Sequence, residues 1–148
     1  MADSTIHLRE AIARDSEAIA ALLAELGYPI DSAEVPSRLA AVSGGRGATF
    51  VAVDDEDAPL GLVCLTRCAS LHAAGSIAYI TTLVTSSAAR RRGVGQLLVA
   101  GAKSWAAQHG CVRLSVTSAE RRADAHAFYP ACGLPYTGRR FAAPISPG

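Results

Sequence analysis

Arg90, Arg91 and Arg92 run directly into Gly93, Val94, Gly95 and Gln96. Three cations beside glycines at the mouth of a helix is the chemistry of an anion site. The helix is legible from spacing: Val94, Leu97, Leu98, Gly101, Ala102 and Trp105 fall at i, i+3, i+4, i+7, i+8 and i+11, one face at a 3.6-residue period. The pattern predicts a helix from near Gly93 to about Gln108, stopped at Gly110. The first backbone N–H groups of a helix have no intrahelical partner, and with the helix dipole they attract anions. Gly93 and Gly95 carry no Cβ, so a phosphate can approach the main chain while the arginines surround it with charge. The competing reading is a solvated basic helix cap whose glycines serve chain geometry only.

The elements around the turn narrow the choice. Ile77 to Thr85 is rich in Ile, Thr, Val and Tyr and has the length of a strand. A P-loop requires Gly-Lys-Ser/Thr, but the only lysine, Lys103, falls inside the helix. A dinucleotide fingerprint requires a third glycine where Leu98 stands. What remains is R-x-x-G-x-G, met by Arg90, Gly93 and Gly95.

With that motif the chain resembles the GCN5-related N-acetyltransferase family. The opening IHLREAIARDSEAIAALLAELGYP is similar to the family's first strand and helix, and AHAFYPACGLPYTGRRFA to its last helix and final hairpin. The resemblance implies one N-acetyltransferase domain over residues 1–148, of α+β class, with a mixed, mostly antiparallel central sheet flanked by helices (α/β/α). It implies acetyl-CoA as cosubstrate, with Arg90, Arg91, Arg92, Gly93, Val94, Gly95 and Gln96 around its pyrophosphate. The main chain of Leu83, Val84 and Thr85 would pair with the pantetheine arm, an N–H near Val84 or Thr85 meeting the thioester carbonyl. Tyr129 matches the family's general acid; the plainer reading makes Phe128 and Tyr129 core aromatics. The acceptor amine would lie near Tyr28 to Glu34, where Asp31 and Glu34 attract a cation or are simply solvated acids at a helix start. Dimers are common in the family, and the final strand is the contact it suggests.

Acetyl transfer to an amine sets its own demands. An alkyl ammonium with pKa near 10 must lose a proton, at roughly 4 kcal/mol near neutral pH, unless a base assists. The tetrahedral oxyanion needs an N–H donor, and the thiolate leaving group needs only modest acid help. Three departures from the family pattern stand out. Pro130 follows Tyr129 and predicts a kink there. Arg122 replaces an asparagine often found before the phenylalanine, and Thr81 and Thr82 stand where many relatives carry a glutamate base. Glu120, His72, Tyr79 and a water held by Thr81 are the remaining candidates for the base, while His126 reads as a packing or capping residue. The alternative function is a non-catalytic acetyl-CoA-binding or regulatory module that keeps the turn but lacks the base.

Composition excludes other classes. The chain of 148 residues has 50% hydrophobic content, enough for one core. A net charge of +1 argues against a nucleic-acid footprint despite Arg90 to Arg92, Arg121, Arg122, Arg139 and Arg140. No apolar run is long enough for a membrane span, and the N-terminus lacks the apolar stretch of a signal peptide, so a cytoplasmic location is expected. Cys64, Cys68, Cys111 and Cys132 read as reduced. Cys64 and Cys68 with His72 have a metal-like spacing, but on one strand the two thiols stand roughly 13 Å apart, so no metal is expected.

The remaining elements follow from pattern. Ile6 and Leu8 mark a first strand; Asp15 caps a helix with apolar face Ile19, Leu22, Leu23 and Leu26 that ends at Gly27. A short helix starts at Asp31 or Ser32 with Pro36 in its first turn. Thr49 to Asp54 and Leu60 to Thr66 form a hairpin, Val112, Leu114 and Val116 give a strand one buried face, and a helix near Arg122 to Cys132 precedes a last strand near Tyr136 to Phe141.

Overall fold

The computed structural model describes residues 5–117, 123–138 and 140–146, in two compact units, 1–116 and 117–148. The larger unit runs β1 (His7–Glu10), α1 (Ser16–Leu26), α2 (Val35–Val42), β2 (Gly47–Val53), β3 (Pro59–Cys68), β4 (Ser76–Thr85), α3 (Val94–Gln108) and β5 (Cys111–Val116). Its five strands lie in sequence order, antiparallel from β1 to β4. β5 joins parallel to β4, which requires a crossover, and α3 is that crossover.

Each face of the sheet buries a different helix layer. Val63, Leu65, Ala78 and Ile80 pack against Val94, Leu98, Ala102 and Trp105 of α3. On the other face Val51, Val53, Leu62 and Val84 meet Ile19 and Leu22 of α1 and Val35 of α2. The expected α/β/α layering is thus present. The buried stripe of α3 is broader than its spacing implied, since Val99 and Ala106 are also buried.

A bulge in β4 decides which residues face which layer. Cys64 pairs with Thr82 but Leu65 with Ile80, leaving Thr81 as the extra residue; its hydroxyl donates to the Cys64 carbonyl at 3.2 Å. One extra residue reverses side-chain parity. Ala78 and Ile80 therefore face α3, whereas Val84 lies under α1 and α2.

The position of α3 rests on a close approach. A Cβ on Gly61 of β3 would stand 2.7 Å from Val94 Cγ1, 3.0 Å from Leu98 Cδ1 and 3.0 Å from the Val84 carbonyl. Gly61→Ala is therefore expected to overpack the first turn of α3 and lower stability by about 1–3 kcal/mol. Urea denaturation should show an earlier midpoint at unchanged slope.

Three expectations need correction. Asp15 stands just before α1 but makes no side-chain cap to it; its carboxylate accepts from Ile12 N–H at 2.9 Å and from Arg9. Val112 is 56% exposed rather than buried, and its side chain lies against Gly75. No strand forms at 136–141 among the described residues; Pro135 has no N–H for a ladder, and Tyr136 and Phe141 are 74% and 89% exposed.

The smaller unit contains α4 (Ala123–Ala131), with Pro130 inside it. The helix runs past the proline instead of breaking before it. Proline near the C-terminal end removes one helical hydrogen bond, and the closing bonds survive: Cys132 N–H donates to the Phe128 carbonyl at 3.1 Å and Leu134 N–H to the Tyr129 carbonyl at 2.9 Å.

Candidate cofactor and catalytic site

β4 delivers an open main-chain edge to the arginine turn. β5 pairs with β4 only from Ser76 to Ile80, while β3 continues along β4 to Thr85. Residues 82–85 therefore have a strand on one side only within residues 5–117. The orientation of their polar groups follows from alternation. Ser86 N–H donates to the Leu60 carbonyl at 2.8 Å, which makes Ser86 and Leu60 a hydrogen-bonded pair. Two residues back, Val84 must also exchange its bonds with Leu62, and the N–H and C=O of Leu83 and Thr85 must point to the open side.

The turn is built by local bonds that spacing did not reveal. Ser86 Oγ accepts from Ala88 N–H at 3.3 Å and starts a 3-10 turn over Ser87–Ala89. Glu25 Oε1, at the end of α1, accepts the Ser87 N–H at 2.9 Å across 62 residues. Ser86 is a polar residue where such a turn would begin, whereas nothing in the sequence links Glu25 to Ser87. Arg91 is left-handed with φ 66°, a conformation that costs a residue with a Cβ about 1 kcal/mol or more and gathers at binding sites.

Gly93, the residue just before α3, lies in the same region, φ 76°. No side chain among the described residues caps this helix. The first intrahelical bond is Leu97 N–H to the Gly93 carbonyl at 3.1 Å, so the N–H groups of Val94, Gly95 and Gln96 belong to the leading turn. Arg90, Arg91, Arg92, Gly93 and Gln96 are exposed there, and Val94 anchors the turn in the core. The cofactor residues expected from sequence are brought together along this single path.

The expected catalytic and acceptor residues are placed less compactly. Tyr129 is half-buried in the smaller unit, its ring edge-on to Phe128 at 5.3 Å. Tyr79 is 37% exposed on β4, and His72 is exposed in the preceding loop. Glu120 and Arg122 lie outside the described residues. Asp31 accepts the Ala33 N–H at 2.9 Å, and Glu34 pairs with Arg38 at 3.5 Å, so both acids have local roles. Cys64 and Cys68 both lie on β3, the second of them exposed. No helix among the described residues is long and apolar enough to cross a membrane.

The sequence did not reveal an ion-pair cluster built around the buried Asp15. Arg9 meets Asp15 through Nη1 at 2.9 Å and Nη2 at 2.8 Å, and Asp57 through Nε at 2.7 Å; Arg14 also pairs with Asp57. The Arg9 hydrogen bonds hold both carboxyls below the usual carboxylate range, and they raise the guanidinium in turn. The cluster ties β1 to the start of α1 and to the β2–β3 hairpin. It is structural and remote from the arginine turn in sequence.

Comparison with known proteins agrees with this geometry. Residues 15–134 match the acetyltransferase (GNAT) family. The uncharacterised N-acetyltransferase YhdJ of Bacillus subtilis is 28% identical over 125 residues, 84% of this chain and 87% of that protein. A transcriptional regulator from Bacillus halodurans superposes with a TM-score of 0.83 at 23% identity, over 95% of this chain and 100% of that one. The aminoglycoside N-acetyltransferase AAC(6')-Iy, solved in complex with CoA, gives 0.82 at 16% identity over 97% of each chain. At these identities the two structures establish the shared fold.

Proposed function

Since the chain belongs to the GNAT acetyltransferase family, we propose that it moves an acetyl group from acetyl-CoA to an amine by direct attack in a ternary complex, both units acting as one domain. The observation that carries this reading is the continuity of two recognition surfaces. An open strand edge at Leu83 and Thr85 leads directly into the uncapped first turn of α3. Amides of a pantetheine arm suit the first surface, and a pyrophosphate suits the second.

The residues divide the work by position. Thr85, next to the turn, binds the arm near its phosphate end. Leu83 lies two residues, or about 7 Å, farther along β4, so its N–H is the donor aimed at the thioester carbonyl and the developing oxyanion. Val84 contributes packing, since its main chain is engaged with β3. Arg90, Arg91 and Arg92 surround the phosphates with positive charge, and Val94, Gly95 and Gln96 offer backbone N–H groups. Tyr79, two residues before the bulge, and a water held by the Thr81 hydroxyl oxygen at the bulge are placed to take the amine proton, and Tyr129 protonates the departing thiolate.

The test is release of free CoA from acetyl-CoA against a panel of primary amines. Release that depends on an amine supports the reading; acetyl-CoA binding with no release for any amine would make the chain a binding module. Tyr129→Phe should lower turnover about 10²- to 10⁴-fold at nearly unchanged acetyl-CoA affinity. Wild-type turnover in that variant would remove the tyrosine from the mechanism.

A further inference from the structure

At the opposite end of α3 from the arginine turn lies a cavity of about 590 Å³. The fifteen residues of α3 separate it from the proposed phosphate site by about 20 Å. Apolar walls come from Pro36 and Leu39 of α2, Phe50 of β2 and Trp105 of α3. Its polar lining includes the side chains of Glu10, Ser43, Thr49, Gln108 and His109.

Glu10 is the one charged residue among the described lining residues. It is exposed, and its carboxylate has no hydrogen-bond or ion-pair partner among the described residues. His109 stacks on Trp105 at 4.4 Å and sets Nδ1 2.8 Å from the Trp105 carbonyl. A carbonyl can only accept, so Nδ1 carries a proton there, and in the neutral ring Nε2 is then an acceptor. Gln108 donates from Nε2 to Ser104 at 3.3 Å, leaving its amide oxygen and one N–H. The C-terminal ends of α2 and α3 both border the cavity, and helix C-termini carry partial negative charge. The nearby guanidinium of Arg67 is already bound to the carbonyls of Gly45 at 2.7 Å and His109 at 3.1 Å.

We propose that this cavity is a second ligand site, binding an organic ammonium with an aryl or alkyl body. The ammonium lies toward Glu10 and His109 Nε2, and the apolar body lies against Trp105, Phe50 and Leu39. Trp105 adds cation–π attraction where the charge reaches its ring. The site does not depend on the acetyltransferase reading, because nothing in it involves acetyl-CoA.

Trp105 is the sole tryptophan and therefore reports on the cavity. The full chain, without acetyl-CoA, is titrated with phenethylamine while tryptophan emission is followed, with 2-phenylethanol and 3-phenylpropionate as neutral and anionic controls. The expected result is a saturable change with phenethylamine at about millimolar concentration and little change with either control. Glu10→Gln should weaken it about three- to tenfold, and Ala40→Phe, which fills the cavity from an exposed position of α2, should abolish it. Equal responses to the amine and the alcohol, no saturable response in the wild type, or unchanged binding in both variants would overturn the proposal.

Discussion

Gly93→Glu is expected to weaken CoA binding about a hundredfold or more, measured by calorimetry, while leaving the fold intact. A carboxylate at the residue capping the start of α3 would face the phosphates across a few ångströms and oppose the helix dipole that attracts them. The fold should survive, since a Cβ at Gly93 meets nothing within 4 Å. The remaining cost is the left-handed conformation, about 1 kcal/mol for a residue with a Cβ. Gly93→Asn separates the two effects: asparagine tolerates this conformation and adds no charge, so affinity should fall only a few-fold. Equal losses in the two variants would assign the glycine to backbone geometry and not to phosphate approach.

Arg9→Ala should be the most damaging single change to stability, about 3–5 kcal/mol by denaturant unfolding. Asp15 is 4% exposed and would keep only the Ile12 N–H, leaving a buried carboxylate without its cation. Against a typical total of about 5–15 kcal/mol, that is a large fraction. Replacing both partners with apolar residues, Arg9→Met with Asp15→Leu, should recover most of the loss, because no buried charge is then orphaned. The pH dependence carries a definite sign. Arg9 lowers the folded-state pKa of Asp15, so the pair stabilises fully above the unfolded carboxylate value of about 3.9 and is lost as pH falls through the lower folded value. In Arg9→Ala the largest cause that lowers that carboxyl is removed, while desolvation still opposes its charge. The gap between the two proteins should therefore narrow as pH drops below about 4.

What the sequence revealed is what local pattern encodes. The periodicity of α3, the β-branched run of β4 and the glycine at position 93 are short-range signals, and each matched an observed element. The bulge at Thr81 was not legible, because register is set by pairing with β3, and no residue near position 81 announces it. Yet the bulge and the early end of β5 decide that Leu83 and Thr85, and not Val84, turn their main chains outward. Arg9 and Asp15 read as one strand residue and one cap; the contact of Arg9 with Asp57 spans 48 residues and exists only once the hairpin folds. The final strand was expected from aromatic and apolar residues, but a proline at 135 removes a donor that a ladder requires. The catalytic half of the site was legible only by residue type, since Tyr129 belongs to the smaller unit.

The central claim is that the open edge of β4 and the first turn of α3 form one continuous CoA site. A crystal structure of the protein with CoA tests it directly. The account predicts pyrophosphate oxygens about 3 Å from the N–H groups of Val94, Gly95 or Gln96, with pantetheine amides paired to the main chain of Leu83 and Thr85. A pyrophosphate bound away from that turn, or an arm that leaves Leu83 and Thr85 unpaired, would contradict it.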